Sequence, residues 1–145
     1  MRTSDPAIFA IGDCVRRPLV HFGDRLGPLE SVHNAIEGAK IAANVILGKD
    51  PPPEEAPWFW SDQYDLKLQI AGQFQGYDKL VLRGNPKERA FAAFYFQAGR
   101  LIAVDAVNRP AEYLGAKQLI QRGKSVAPEI LADLSKPMKE IVAAA

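Results

Sequence analysis

The sequence predicts an α+β fold, an antiparallel sheet flanked by helices, and three observations lead to it. Between Leu66 and Val107 apolar residues recur in short alternating or continuous runs separated by turn residues, the pattern of consecutive strands. From Asn108 onward the spacing changes to the threes and fours of helices. Strands in succession followed by helices segregate into the two layers of an α+β domain. The third observation is a proline-rich connection, Lys49 to Pro57, with Pro51, Pro52 and Pro53 in succession. Proline locks the backbone dihedral, so this stretch reads as a semi-rigid spacer between a segment 1–49 and a domain 50–145.

Each element follows from local chemistry. Ala7 to Gly12 is a continuous apolar run ending in Gly-Asp, which predicts a buried parallel strand stopping at a functional loop. Cys14 to Pro28 contains Pro18, Gly23, Gly27 and Pro28 and reads as an irregular excursion or short hairpin. A helix is expected from Glu30 or Ser31, with Ser31 as N-cap and Gly48 as its end. Its apolar positions are Val32, Ala35, Ile36, Ala39, Ala42, Ala43, Ile46 and Leu47; most are alanine, so this face is expected to lie close to another backbone. Beyond the prolines, Leu66, Leu68 and Ile70 alternate with Lys67 and Gln69 as a half-buried strand. Leu80 to Arg83, Phe91 to Phe96 and Leu101 to Val107 are further strands, the last two joined by a turn at Gln97-Ala98-Gly99-Arg100. A helix through Ala111 to Gln121 is expected next, with Asn108 as N-cap, Pro110 in the first turn and Gly123 at the end. Short helices are predicted around Pro128–Leu134 and Pro137–Ala144.

Composition narrows the function. The chain has 145 residues, 48% hydrophobic and 24% charged, with net charge +1, as an ordinary globular protein has. No apolar run approaches the ~20 residues of a membrane span, and the first residues do not read as a signal peptide. One cysteine, Cys14, excludes an internal disulfide and any cysteine cage for zinc or iron–sulfur, so a cytoplasmic location is expected. Charge is unevenly spread. Six acids between Asp50 and Asp78 face only Lys67, a balance of −5, and nine bases between Lys79 and Lys124 face three acids, a balance of +6. Such a split steers a charged partner if it clusters and is a pair of solvated faces if it does not. The bases are scattered without a binding motif, which excludes nucleic acid as the expected partner.

Three places carry chemistry. Asp13 follows Gly12 at the end of the first apolar run; a carboxylate there either accepts hydrogen bonds from sugar-like hydroxyls or caps loop amides. The helix start at Glu30-Ser31-Val32 offers unpaired N–H groups and the positive end of a dipole, as every helix does. Trp58 and Trp60, in Pro57-Trp58-Phe59-Trp60-Ser61-Asp62-Gln63, project to one side of an extended segment. That pair would cover a planar cofactor, dock a partner, or simply pack in a core. His21 and His33 lack a third ligand, so no metal site is expected, and no catalytic side chain is assigned. No GxGxxG occurs, so the phosphate-cradling loop of a dinucleotide-binding half is missing.

Taken together these segments resemble a known family. Thr3-Ser4-Asp5-Pro6, Ile8-Phe9-Ala10-Ile11-Gly12-Asp13-Cys14, Glu30 to Ala35, Pro57 to Lys67, Gly76-Tyr77-Asp78 and Val104 to Pro110 occur in the order found in the C-terminal third of one enzyme group. That group is the FAD-dependent NAD(P)H:ferredoxin reductases of the putidaredoxin and rhodocoxin reductase type, with apoptosis-inducing factor as a distant relative. The resemblance implies that residues 1–49 are a strand-loop-helix remnant of an FAD-binding α/β domain. It implies that residues 50–145 are the reductase C-terminal, dimerisation and ferredoxin-facing domain. It implies that Gly12 and Asp13 approach the ribityl chain of FAD, that Ser31 and Val32 offer backbone N–H to the flavin's pyrimidine edge, and that Trp60 and Trp58 lie beside the isoalloxazine. The reaction implied is electron transfer from NAD(P)H through FAD to a two-iron ferredoxin. With the remaining FAD- and NAD-binding parts missing, the chain alone is expected to be inactive and not to retain FAD. The uncovered helix face is expected to drive homo-oligomerisation. The alternative is a stand-alone, non-catalytic oligomerisation or interaction module.

Overall fold

The computed structural model describes all of residues 1–145. The chain divides into two compact units, Met1–Pro57 and Trp58–Ala145.

In the first unit the strands β1 (Arg16–Leu19) and β2 (Arg25–Pro28) form an antiparallel hairpin, with Arg16 opposite Pro28 and Leu19 opposite Arg25. The hairpin expected between Cys14 and Pro28 is therefore present. The helix α1 (Val32–Ile46) starts as its residues dictate: Ser31 has extended dihedrals and its hydroxyl accepts from the Asn34 N–H. At its end Gly48 turns left-handed, and the Gly48 and Lys49 N–H groups donate to the carbonyls of Val45 and Asn44.

One expectation fails here. Ala7–Gly12 forms no parallel strand; Arg2 and Phe9 make one isolated antiparallel bridge, and Gly12–Cys14 is a 3-10 turn. A parallel strand needs flanking strands to take its backbone groups; β1 and β2 pair only with each other, and Ile8 and Ile11 are exposed. The apolar face of α1 is uncovered, as expected for this chain. Asn34, Glu37, Gly38, Ile41 and Ala42 are buried, whereas Val32, Ile36, Ile46 and Leu47 are exposed. Arg17 decides this orientation: it ion-pairs with Glu37 at 3.3 Å and with Glu54, and hydrogen-bonds Asn34 Oδ1 at 3.3 Å. Glu37 also accepts from the Glu55 N–H at 2.6 Å, so the end of the proline-rich connection belongs to this unit. The first compact unit accordingly runs to Pro57.

The second unit is a five-stranded antiparallel sheet in the order β3-β4-β7-β6-β5, with helices. Its strands are β3 (Trp58–Gln63), β4 (Leu66–Gly72), β5 (Lys79–Asn85), β6 (Ala90–Gln97) and β7 (Arg100–Val107). Tight turns with left-handed residues join neighbours, Tyr64 between β3 and β4, and Ala98 and Gly99 between β6 and β7. At Gly72 (φ +84°) a side chain is impossible, because a Cβ would lie 2.0 Å from the Ile102 carbonyl oxygen. The helices are α2 (Pro110–Gln121), α3 (Pro128–Ala132) and α4 (Met138–Ala144).

Register decides which residues share a face. Trp58 pairs with Ala71, Ala71 with Val104, Val104 with Phe94 and Phe94 with Val81. This row faces α2, which packs on β7 and β4 through Tyr113, Ala116, Leu119 and Ile120. Phe94, Phe96, Leu119, Leu131 and Val104 are fully buried. Arg83 is buried in the same layer. It donates to Glu112 of α2 at 3.2 Å and to the carbonyls of Leu131, Asp133 and Lys136, which fastens the C-terminal helices to the sheet. The cap of α2 differs from expectation. Asn108 sits at φ +50° before the helix; its Oδ1 accepts from the Lys67 N–H, and its amide donates to the carbonyls of Asp65 and Arg89. Arg109 takes the N-cap position without a side-chain bond.

Candidate functional site

Four of the six residues singled out in the sequence lie in the first unit. Gly12 has φ +75°, a conformation that leaves glycine the favoured residue, and its Cα faces Ala35 in the first turn of α1. Asp13 follows in the same 3-10 turn, exposed to solvent. This turn packs on α1, with Gly12 against Ala35. Ser31 caps the helix, and Val32, its first residue, is 59% exposed. The first N–H groups of a helix have no intrahelical acceptor, so an exposed helix start keeps donors for an outside oxygen.

The other two lie in the second unit, on its edge strand β3. Trp58 and Trp60 project to one side of the sheet with ring centroids 5.5 Å apart and planes tilted by 33°. Trp58 is half-buried, whereas Trp60 is 42% exposed and also touches Phe59, at 6.1 Å between centroids. Of the readings open to this pair, core packing describes Trp58 in part and does not describe Trp60. The edge strand thus presents a flat indole backed by a second indole.

Two further groups escaped the sequence reading. Lys117 of α2 places its Nζ 4.9 Å from the centroid of the Trp58 ring, a cation–π contact between helix and edge strand. On the sheet face away from α2, Tyr95 donates its hydroxyl to Asp105 Oδ2 at 2.7 Å, with Phe74 and Tyr77 against the Tyr95 ring. Burial pushes the Asp105 carboxyl up, against the opposing pull of the Tyr95 bond. Burial first, and then the bond to Asp105, holds the Tyr95 hydroxyl far above the usual phenol range. A lone charge within the apolar run Leu101–Val107 was the available signal for Asp105. No comparable signal marks Lys117, because sequence spacing says nothing about which helix a sheet edge will meet.

The remaining candidates have local roles. His21 Nε2 lies 3.1 Å from the Glu54 carbonyl oxygen, and His33 Nε2 lies 3.5 Å from Glu55 Oε2. Cys14 is exposed, with its Sγ 3.4 Å from the Ile11 carbonyl oxygen. Part of the charge asymmetry cancels, since Arg89 pairs with Asp65 at 2.8 Å. No helix is long and apolar enough to cross a membrane.

Taken unit by unit, the chemistry is compatible with parts of a flavin: the first unit has an exposed carboxylate for hydroxyls and helix N–H groups for a ring carbonyl, and the second has a flat apolar side chain for a ring face. The chain is similar in sequence and fold to known reductases. Putidaredoxin reductase of Pseudomonas putida is 48% identical over 100% of this chain and 34% of its own length. Rhodocoxin reductase of Rhodococcus erythropolis is 37% identical over 99% of this chain and 33% of its own. The crystal structure of the covalent putidaredoxin reductase–putidaredoxin complex superposes with TM-score 0.96, at 48% identity, covering 100% of this chain and 34% of that one. A ferredoxin reductase from Rhodopseudomonas palustris superposes with TM-score 0.88, at 45% identity, over 96% of this chain and 34% of that one. The chain thus spans about a third of the length of these relatives. A family profile described as reductase C-terminal matches residues 58–142, nearly all of the sheet-and-helix unit. The chain belongs to the reductase C-terminal family.

Proposed function

We propose that this chain supplies the flavin-covering and ferredoxin-facing part of an FAD-dependent NAD(P)H:ferredoxin reductase. FAD bound in the whole reductase would supply the redox chemistry, from NAD(P)H to a two-iron ferredoxin. The chain's own residues bind and orient. Asp13 accepts hydrogen bonds from the ribityl hydroxyls, with Gly12 allowing the backbone turn that presents it. The start of α1, capped by Ser31, directs the Val32 N–H at the pyrimidine edge, where its partial positive charge favours the electron-rich ring. Trp60, backed by Trp58, lies along the isoalloxazine and excludes water from it.

The observation that carries this reading is the half-exposed Trp60 on an edge strand, in a chain whose relatives are ferredoxin reductases. The test is a chimera in which this chain replaces the matching third of putidaredoxin reductase. NADH-dependent reduction of putidaredoxin is expected, together with its loss in the Asp13→Ala chimera. A chimera that folds and holds FAD yet reduces no putidaredoxin would overturn the proposal. By itself the chain is expected to purify colourless, since it offers no phosphate-cradling loop; a yellow preparation at near-stoichiometric flavin would contradict this.

A second reading, an oligomerisation module, draws on the exposed apolar side chains of α1: Val32, Ile36, Ile46 and Leu47. In that case light scattering at rising concentration reports self-association, and Ile36→Glu abolishes it.

A further inference from the structure

The placement of Trp60 beside a flavin says nothing about what holds its indole at a fixed angle. An exposed tryptophan on an edge strand has no strand beyond it to limit its rotamer. Its neighbours are Phe59 and Trp58, and the Trp58 ring is the nearer, at 5.5 Å. Trp58 in turn meets the Lys117 ammonium 4.9 Å from its ring centroid. Lys117 stands on α2, whose Tyr113, Ala116, Leu119 and Ile120 are buried against the sheet. The helix therefore cannot shift without disturbing the core.

We propose that Lys117 is a positioning residue, which fixes the plane of Trp58 and through it the angle at which Trp60 meets a flat ligand. The proposal rests on the flavin-facing reading of Trp60. A cation is attracted to the face of an indole rather than its edge, so the contact selects one ring orientation, which apolar packing alone does much less sharply. Trp58 stacked in that orientation leaves one tilt open to Trp60. The role proposed for Lys117 is exerted through the aromatic pair.

The chain contains two tryptophans, so indole spectroscopy reads this pair alone. The experiment measures the exciton couplet of the two indoles by circular dichroism, and tryptophan fluorescence anisotropy, in the native chain, K117M and K117R. Methionine keeps an apolar stem and removes the charge; arginine keeps the charge. Loss of the couplet and lower anisotropy in K117M, both restored in K117R, are expected, with cooperative thermal unfolding retained in each. A couplet in K117M equal to that of the native chain would overturn the proposal. If K117M fails to fold, the native chain still decides the matter, because the Lys117 ε-methylene protons are expected to be shifted upfield by the indole ring current. Their appearance at the ordinary lysine position would refute the contact. The two readings separate in the chimera. An altered couplet in K117M alongside full putidaredoxin reduction by a Trp60→Ala chimera sinks the flavin-facing role of Trp60 and leaves the positioning intact. An unaltered couplet in K117M alongside lost reduction in Trp60→Ala does the reverse.

Discussion

The two units of this chain close their interiors by different means. Trp58–Ala145 buries Phe94, Phe96, Val104, Leu119 and Leu131 completely and adds a single ion pair, Arg83–Glu112, inside that apolar layer. Met1–Pro57 buries only Leu19, Ile41, Ala42 and Ala56 among its apolar side chains and organises its helix around Arg17, Glu37 and Glu54. Apolar burial accumulates with every neighbour and needs no alignment. A charge network is directional and loses most of its value when one partner is removed. The first unit is therefore expected to be the weaker, although Arg17 makes two ion pairs in it.

The largest expected effect tests the stronger unit at its one charged point. Arg83→Met leaves Glu112 buried with only Arg109, at 3.6 Å, to answer it, and releases the carbonyls of Leu131, Asp133 and Lys136. A loss of about 3–5 kcal/mol is expected, as for a buried pair with one partner removed. Denaturant unfolding followed by circular dichroism measures it; a loss below about 1 kcal/mol would mean that the apolar layer alone holds the C-terminal helices.

Arg17→Met applies the same lesion to the first unit, where the partners are slightly more exposed. About 1–3 kcal/mol is expected for leaving Glu37 without its main partner. Hydrogen exchange is the informative measurement: amides of α1 lose protection, while those of β6 and β7 keep theirs. Equal loss in both units would erase the contrast drawn above.

A smaller effect concerns Asp105, a part-buried charge of the second unit. Burial raises its folded-state value above that of the unfolded chain. The folded state then holds the proton more tightly. Its contribution is complete below the unfolded carboxylate value of about 3.9 and falls as pH rises through the raised folded value. Asp105→Asn keeps an acceptor for the Tyr95 hydroxyl and removes that decline. Melting temperatures of the two proteins are expected to converge at acid pH, with the variant higher near neutrality; a lower melting temperature for the variant there would show the carboxylate to be stabilising. Smallest of all is Trp60→Ala, expected within about 0.5 kcal/mol of the native chain because the indole is only partly buried. A larger loss would make Trp60 a core residue and weaken its assignment to a ligand.

The same contrast separates what was legible in the sequence from what was not. In the second unit the alternation of Leu66, Leu68 and Ile70, the run Phe91–Phe96 and the Gly99 turn predict strands that the structure contains, because local pattern and sheet burial agree. In the first unit the run Ala7–Gly12 reads as a buried strand and is not one, since a parallel strand exists only with neighbours. The apolar face of α1 lies exposed as expected, but that the opposite face is held in by Arg17 through Glu37 and Asn34 was not legible. Asn108 reads as a helix cap and instead stitches the β3–β4 and β5–β6 connections, a use visible only once Lys67 and Arg89 are brought to it.

By itself the sequence determined the elements whose causes are local: the Ser31 cap, the Gly48 stop, the strands of the second unit, and the shared side of Trp58 and Trp60. Tertiary structure alone decided the burial of Asp105, the tail-fastening role of Arg83, the inward face of α1 and the meeting of Lys117 with Trp58. Each of these depends on residues far apart in the chain, and spacing along the chain carries no information about which distant surface will desolvate a charge or meet a ring.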